Sequence, residues 1–262
     1  MQILKSIKAQ LIVYLICLAV FLAVKDKSAV FLLTCGLAVF SALCVESVTL
    51  YFRTKSWKIT ESSIITGLII GFVLTSEQPW WMFLVAAILA ILSKYLIVFK
   101  KKHIFNPAAF GILLMIILCG ASTQWKGTYL WYILVPGGIY FAQKVGKLKI
   151  IISYFLVSLV LFGTQAILQK NSLVNILGYL SYFYIFVMVI EPKTAPIKSK
   201  AQIIFGAGIA ILIFILTEFG AKFDVELFSL LVLNLAILLM NKGTVSIFIK
   251  DDVVKNRNGP FI

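Results

Sequence analysis

The sequence predicts an all-α integral membrane protein: about ten transmembrane helices in two inverted five-helix repeats, with short or broken third and fifth members. Three observations predict it. The 262 residues are 61% apolar and only 13% charged, too apolar for a water-soluble core. Apolar runs follow one another with short charged connections, and in lipid each run must satisfy its own backbone polar groups, which a helix does unaided. Basic residues also alternate from side to side as the runs are crossed.

The first run, Ile7 to Val24, follows Lys5 and Lys8 as a signal peptide would. It is long, however, and has no small-x-small cleavage pattern before Lys25, so it counts as span one. Ala29 to Tyr51 is the second. Crossing about 30 Å of hydrocarbon at about 1.5 Å per residue takes roughly 20 residues, and the third run, Ile64 to Thr75, falls short, ending at Glu77-Gln78-Pro79. Trp80 to Phe99 is full length. The fifth run, Pro107 to Cys119, is short again. Tyr129 to Gln143 and Ile150 to Leu168 open the second set. The eighth run, Leu173 to Ile190, stops at Glu191-Pro192; Ile203 to Phe219 is the ninth; the tenth, Leu227 to Met240, is short and carries Asn234 in its middle. The interruptions fall on the third and fifth members of each five. Five spans per half make the halves enter the membrane from opposite sides, and breaks at corresponding places point to a midplane site. Residues 1–120 and 121–242 are the two repeats on this reading, and 243–262, with Asp251 and Asp252, a polar cytoplasmic tail.

The net charge of +14 is a topology signal. With the N-terminus inside, the inner segments hold Lys5 and Lys8, Arg53 to Lys58, Lys100 to Lys102, Lys144 to Lys149, Lys193 to Lys200, and the basic residues from Lys242 onward. The outer ones hold Lys25, Lys27, Lys126, Lys170 and Lys222. One missed helix would scramble that bias, which places both termini in the cytoplasm of a cell that carries the chain in its plasma or inner membrane. Trp80, Trp81 and Trp125 fall at outer ends and Trp57 at an inner one, as interfacial rings prefer. No basic face is interleaved with aromatics, so nucleic acid is not an expected partner. The bilayer is. Cys17, Cys35, Cys44 and Cys119 lie in apolar runs without metal-ligand spacing, and neither a Walker loop nor a G-x-G-x-x-G is present. No metal site is expected.

The start of the fifth run has a local logic. Asn106 is a good N-cap and Pro107 a favoured first helical residue, so the helix begins there and not at the lysines. Its first amides then face backwards with the positive end of the helix dipole, a place for an anionic or electron-rich group. The alternative is a tilted helix that starts at the interface with snorkelling lysines. Thr66 and Gly67, and Asn234 on the tenth run, either line a cavity between half-helices or serve close packing. Glu46 and Lys94, at similar depth, form a structural pair or an ion path; Glu191, at a helix break, is the stronger ion-path candidate. His103, beside lysines, is expected at the solvated interface.

TGLIIGFVLTSEQPWW (Thr66 to Trp81), FNPAAFGILL (Phe105 to Leu114) and EPKTAPIKSKAQIIFG (Glu191 to Gly206) come in the order and spacing of the NqrB/RnfD family, whose corresponding stretches look like T-x-L-L-x-G-x-x-L-P-P-x-x-P-W-W, F-N-P-A and D-P-x-T-S-P. The resemblance covers about Thr66 to Met240. It implies a ten-helix subunit of two inverted repeats, similar in fold to urea and ammonium channels, which binds flavin and carries electrons in a redox-driven cation pump beside other Rnf/Nqr-like subunits. The candidate cofactor-binding positions are Thr66, Gly67, Asn106, Pro107, Thr123 and Asn234, and the candidate ion pathway is Glu191, Thr194 and Glu46. The cofactor implied is FMN or riboflavin. Glu191 replaces the family's Asp and Ala195 its Ser. Larger members carry FMN as a phosphoester on a threonine between spans five and six. Here that connection is only Gly120 to Thr128, and GAST (Gly120 to Thr123) lacks the upstream acidic residue and sits at a helix end. Non-covalent binding is therefore expected, with covalent attachment at Thr123 the lesser reading. No residue has the setting of a nucleophile or general base, so the chain has no complete active site of its own. Two rival readings remain: a stand-alone channel or permease for a small polar or vitamin-like solute, and a scaffold subunit without cofactor.

Overall fold

The computed structural model describes residues 6–100, 102–170 and 180–239. The first half of run eight and the expected cytoplasmic tail lie outside the described residues. Within them the chain forms α1 (Ile7–Lys25), α2 (Ala29–Thr54), α3 (Glu61–Val73), α4 (Trp80–Leu96), α5 (Pro107–Cys119), α6 (Trp131–Lys144), α7 (Leu148–Leu168), a π-helical turn at Tyr184–Met188, α8 (Ser199–Glu218) and α9 (Val225–Leu239). Among the described residues α1, α2, α7 and α8 are long and apolar enough to cross a membrane, and α3, α4, α5 and α9 are shorter apolar helices. This is the architecture of an all-α, multi-pass membrane protein.

Capping sets the starts. Hydroxyls of Ser6, Ser28 and Thr60 accept from first-turn amides of α1, α2 and α3, satisfying donors that lipid could not. Gly120, at φ 65°, ends α5 in the left-handed conformation that glycine adopts without strain. Run four stops earlier than its hydropathy suggests. Val98–Phe99 pairs instead with Lys102–His103 as a two-stranded antiparallel hairpin, so Lys102 belongs to a strand and does not lengthen α5.

Small residues let the helices approach. A Cβ on Gly67 would lie 2.5 Å from the Val39 Cα of α2; Gly111 of α5 abuts the Ala86 carbonyl of α4, and Gly206 of α8 abuts the Ile150 carbonyl of α7. Close backbone contact is how helices associate where the surrounding solvent is itself apolar. Near the end of α3 the rings of Phe72 and Phe183, next to the π-turn, stack with centroids 4.9 Å apart and planes 14° from parallel. Both are fully buried.

After α3 the chain runs extended, and its backbone bonds with the stretch following α5: Thr75 donates to Ser122 at 3.1 Å and Gln124 to Val73 at 2.8 Å. This closes one end of the bundle. The other end gathers the starts of α1, α3 and α5 with Glu191–Ile197, where the buried Lys147 ammonium donates to the carbonyls of Ala195 (3.0 Å) and Pro196 (2.6 Å).

Candidate functional site

Asn106 organises this second end. Its side-chain oxygen accepts from the Ala109 amide at 3.0 Å, its amide nitrogen donates to the Met188 carbonyl at 3.4 Å, and its backbone N–H donates to Asn234 Oδ1 at 3.1 Å. The expected bare helix start is thus largely occupied. Pro107 has no N–H, the Asn106 and Ala109 amides are taken, and only the Ala108 amide lacks an acceptor among the described residues.

A narrow slot of about 90 Å³ opens beside this helix start. Its walls are apolar, from Ile7, Leu11, Ile65, Ile69, Phe141 and Val187, and its polar edge consists of Ser62, Thr66, Asn106 and Glu191, with Ala108 at the helix start and Lys8 and Lys193 at the rim. Next to it a wider cavity of about 390 Å³ is lined by Lys100, Lys102, His103, Lys193, Thr194, Lys198 and Asn234. Lys193 borders both. Glu191 stands between them: its Oε1 lies 3.4 Å from His103 Nε2, and its Oε2 accepts from the Thr194 hydroxyl at 3.1 Å.

His103 is therefore not at the solvated interface. It is 8% exposed, because the β-hairpin folds it inward against Glu191. Nothing local in the sequence signals this contact, since 88 residues separate the partners.

Of the residues singled out in sequence, Thr66, Asn106, Pro107 and Glu191 line the slot, and Thr194 and Asn234 line the adjoining cavity. Thr66 donates back to the Ser62 carbonyl at 2.8 Å, leaving its lone pairs unspent. Glu46 lies one step behind. Lys94 Nζ is 3.3 Å from Glu46 Oε2 and donates to Ser62 Oγ at 3.3 Å, while Tyr95 donates to Glu46 Oε1 at 2.9 Å. A buried polar chain thus runs from the α2–α4 pair to the slot edge. Gly67 faces the α2 backbone and serves packing. Thr123 is at the opposite end of the bundle, where its hydroxyl donates to Asp224 Oδ2 at 2.8 Å. The acidic neighbour missing upstream of Thr123 is supplied from 101 residues downstream.

Among the described residues there is no group of three or more His, Cys, Asp or Glu arranged to hold a metal.

The model of the NQR2, RnfD, RnfE family matches residues 2–130 and 118–250. A protein of Pectobacterium carotovorum, named as a subunit of an ion-translocating oxidoreductase complex, is 34% identical over 90 residues, which cover 33% of this chain and 26% of that protein. The protein of the same name in Escherichia coli is 32% identical over 108 residues, 39% of this chain and 31% of the relative. The chain thus aligns with about a quarter to a third of the length of these relatives.

Proposed function

The chain belongs to the NQR2, RnfD, RnfE family, and from that premise we propose that it is a membrane subunit of an Rnf/Nqr-type redox-driven ion-translocating complex that holds a flavin without a covalent bond. Other subunits of the complex supply the electron donor. Residues 1–120 and 121–242 are inverted repeats on this reading, with 243–262 a cytoplasmic tail beside a cytoplasmic N-terminus. The observation that carries the proposal is the convergence of Thr66, Asn106, Pro107 and Glu191, from widely separated parts of the chain, on one slot.

The lining suits a flat aromatic group with one polar edge. Apolar walls would sandwich the ring, and Thr66, Asn106 and the Ala108 amide would meet its heteroatoms. At about 90 Å³ the slot would receive only the edge of a three-ring system, and the rest of the group would lie outside it. A bound flavin would supply one- and two-electron redox chemistry; the protein's part is to orient it and keep water from its inner edge. Glu191, with Thr194 and His103, and Glu46 behind Lys94, would escort the cation. Attachment at Thr123 is disfavoured, since its hydroxyl already bonds a carboxylate and a phosphate there would face negative charge.

The channel reading is weakened by the Phe72–Phe183 stack, two fully buried rings packed between the end of α3 and the chain at the π-turn. The test is an optical spectrum of the protein purified with its partner subunits, followed by in-gel fluorescence after denaturation. We expect flavin absorbance and release of all fluorescence on denaturation. Absence of flavin overturns the cofactor assignment, fluorescence retained in the gel overturns non-covalent binding, and solute uptake by the lone protein in liposomes favours the permease.

A further inference from the structure

The wider cavity of about 390 Å³ beside the slot has a charge pattern that the flavin reading does not use. Lys100 and Lys102 line it from the hairpin, and Lys193 and Lys198 from the chain between the π-turn and α8. No aspartate or glutamate is among its lining residues. The ion pairs among the described residues join Lys94 to Glu46, His103 to Glu191 and Lys126 to Asp26, so none of these four lysines has a carboxylate partner there. Like charges gathered around one hollow repel one another until an anion joins them.

The rest of the lining is largely apolar. Ile104 follows the hairpin, Ile197 precedes α8, Ala201 lies in the first turn of α8, and Ile237 and Leu238 lie near the end of α9. Ile197 is 78% exposed, a large apolar side chain next to Lys198. The cavity thus joins charged connections to the sides of two apolar helices, one of them long enough to cross a membrane. It also holds an unused donor. Asn234, 3% exposed, lines the cavity; its Oδ1 is held by the Asn106 backbone N–H, and its buried Nδ2 has no acceptor among the described residues. A buried polar nitrogen in that state is costly and calls for an acceptor.

We propose that this cavity binds a net-anionic phospholipid, with the phosphodiester among the four lysines and the start of an acyl chain against Ile197, Ala201, Ile237 and Leu238. Complementarity of two kinds carries the assignment: cations without counter-charge face the headgroup, and apolar walls face the chain. Basic pockets between membrane helices at the water-facing surface suit anionic headgroups. A zwitterionic headgroup brings its own cation, and that cation would meet four ammonium groups and no carboxylate. Lysines act on phosphate as mobile point charges, which fits a ligand that arrives from the bilayer with a mobile headgroup. The assignment neither needs the flavin reading nor supports it.

The full chain in neutral detergent is stripped of lipid and mixed with equal amounts of phosphatidylglycerol and phosphatidylcholine that carry the same acyl chains. Retained lipid is read by native mass spectrometry, and stabilisation by thermal unfolding. Phosphatidylglycerol is expected to be retained about tenfold over phosphatidylcholine and to raise the Tm. Lys102→Gln/Lys198→Gln, at exposed positions that line this cavity and not the slot, should cut that preference about fivefold or more. Lys55→Gln/Lys58→Gln, the same change of charge in the α2–α3 connection at this end of the bundle, should leave it intact. Ala201→Asp puts a negative charge in the cavity wall, in the first turn of α8 where a helix accepts it, and should abolish the preference; it carries the test should the double variant fail to fold. Equal retention of the two lipids, or equal loss in both double variants, overturns the proposal. So does a rise in Tm with inorganic phosphate or FMN alone that disappears in Lys102→Gln/Lys198→Gln, since the cavity would then belong to a soluble phosphate.

Discussion

The backbone amide of Asn106 donates to the side-chain oxygen of Asn234 at 3.1 Å, so the start of α5 is closed by a residue of α9, 128 positions later. The expected fifth members of the two halves are thereby tied together, deep in the bundle, beside the slot.

Asn234→Leu removes the acceptor and leaves a buried N–H alone, which costs about 1 to 3 kcal/mol. Asn234→Asp retains an acceptor. The leucine variant is expected to show the lower Tm, measured by thermal unfolding, and, if the proposed flavin is held, a larger loss of it per folded molecule than the aspartate variant, measured by the absorbance ratio after gel filtration.

Breaking the buried Glu46–Lys94 pair from one side leaves an uncompensated charge, at a cost of about 3 to 5 kcal/mol. Glu46→Leu and Lys94→Leu should each destabilise strongly, while the double variant recovers most of the loss. A double-mutant cycle in denaturant measures this coupling; simple additivity would show that the two groups do not act as a pair.

Phe72→Ala removes half of the Phe72–Phe183 stack. Truncating a buried phenylalanine costs about 3 to 5 kcal/mol, and here it also leaves a void beside Phe183. Liposomes containing the variant should leak cations faster than those containing the parent, read with an entrapped dye; Phe72→Leu, which keeps the bulk, should restore tightness.

Lys147, in the α6–α7 connection, has its ammonium held below the ordinary lysine range by burial. Its folded pKa is thus below its unfolded value near 10.5, and between the two the unfolded chain binds more protons than the folded one. Stability contributed by this group therefore rises as pH rises toward 10.5, and the slope should vanish in Lys147→Met. That variant should also unfold at lower temperature near neutral pH, since the Ala195 and Pro196 carbonyls lose their donor. Thermal unfolding across pH 8 to about 10.5 checks both effects.

Much of the fold was legible in the chain. Apolar runs, short third and fifth members, the Asn106-Pro107 start and the Glu191-Pro192 stop are local matters of hydropathy, capping and backbone restriction, and α5 begins and ends where its cap residues say. Boundaries moved where a local rule gave way: run four loses its last residues to a hairpin, and α9 starts at Val225 because Asp224 caps it. The candidate site was half legible. Breaks in hydropathy found Asn106 and Glu191, but residues that act through long-range contact left no periodic trace. His103 read as one more interfacial base, since side chains bond according to neighbours that the linear order does not name.

By itself, then, the sequence determined that the chain lives in lipid, how many apolar segments it has and where its helices break, because hydrophobic transfer and helix capping act over a few residues. Only the tertiary structure decided which breaks meet, that Glu191 faces His103, and that Gly67 packs against the α2 backbone. Those outcomes depend on how helices far apart in sequence come into contact, and electrostatic pairing and burial are set at those contacts.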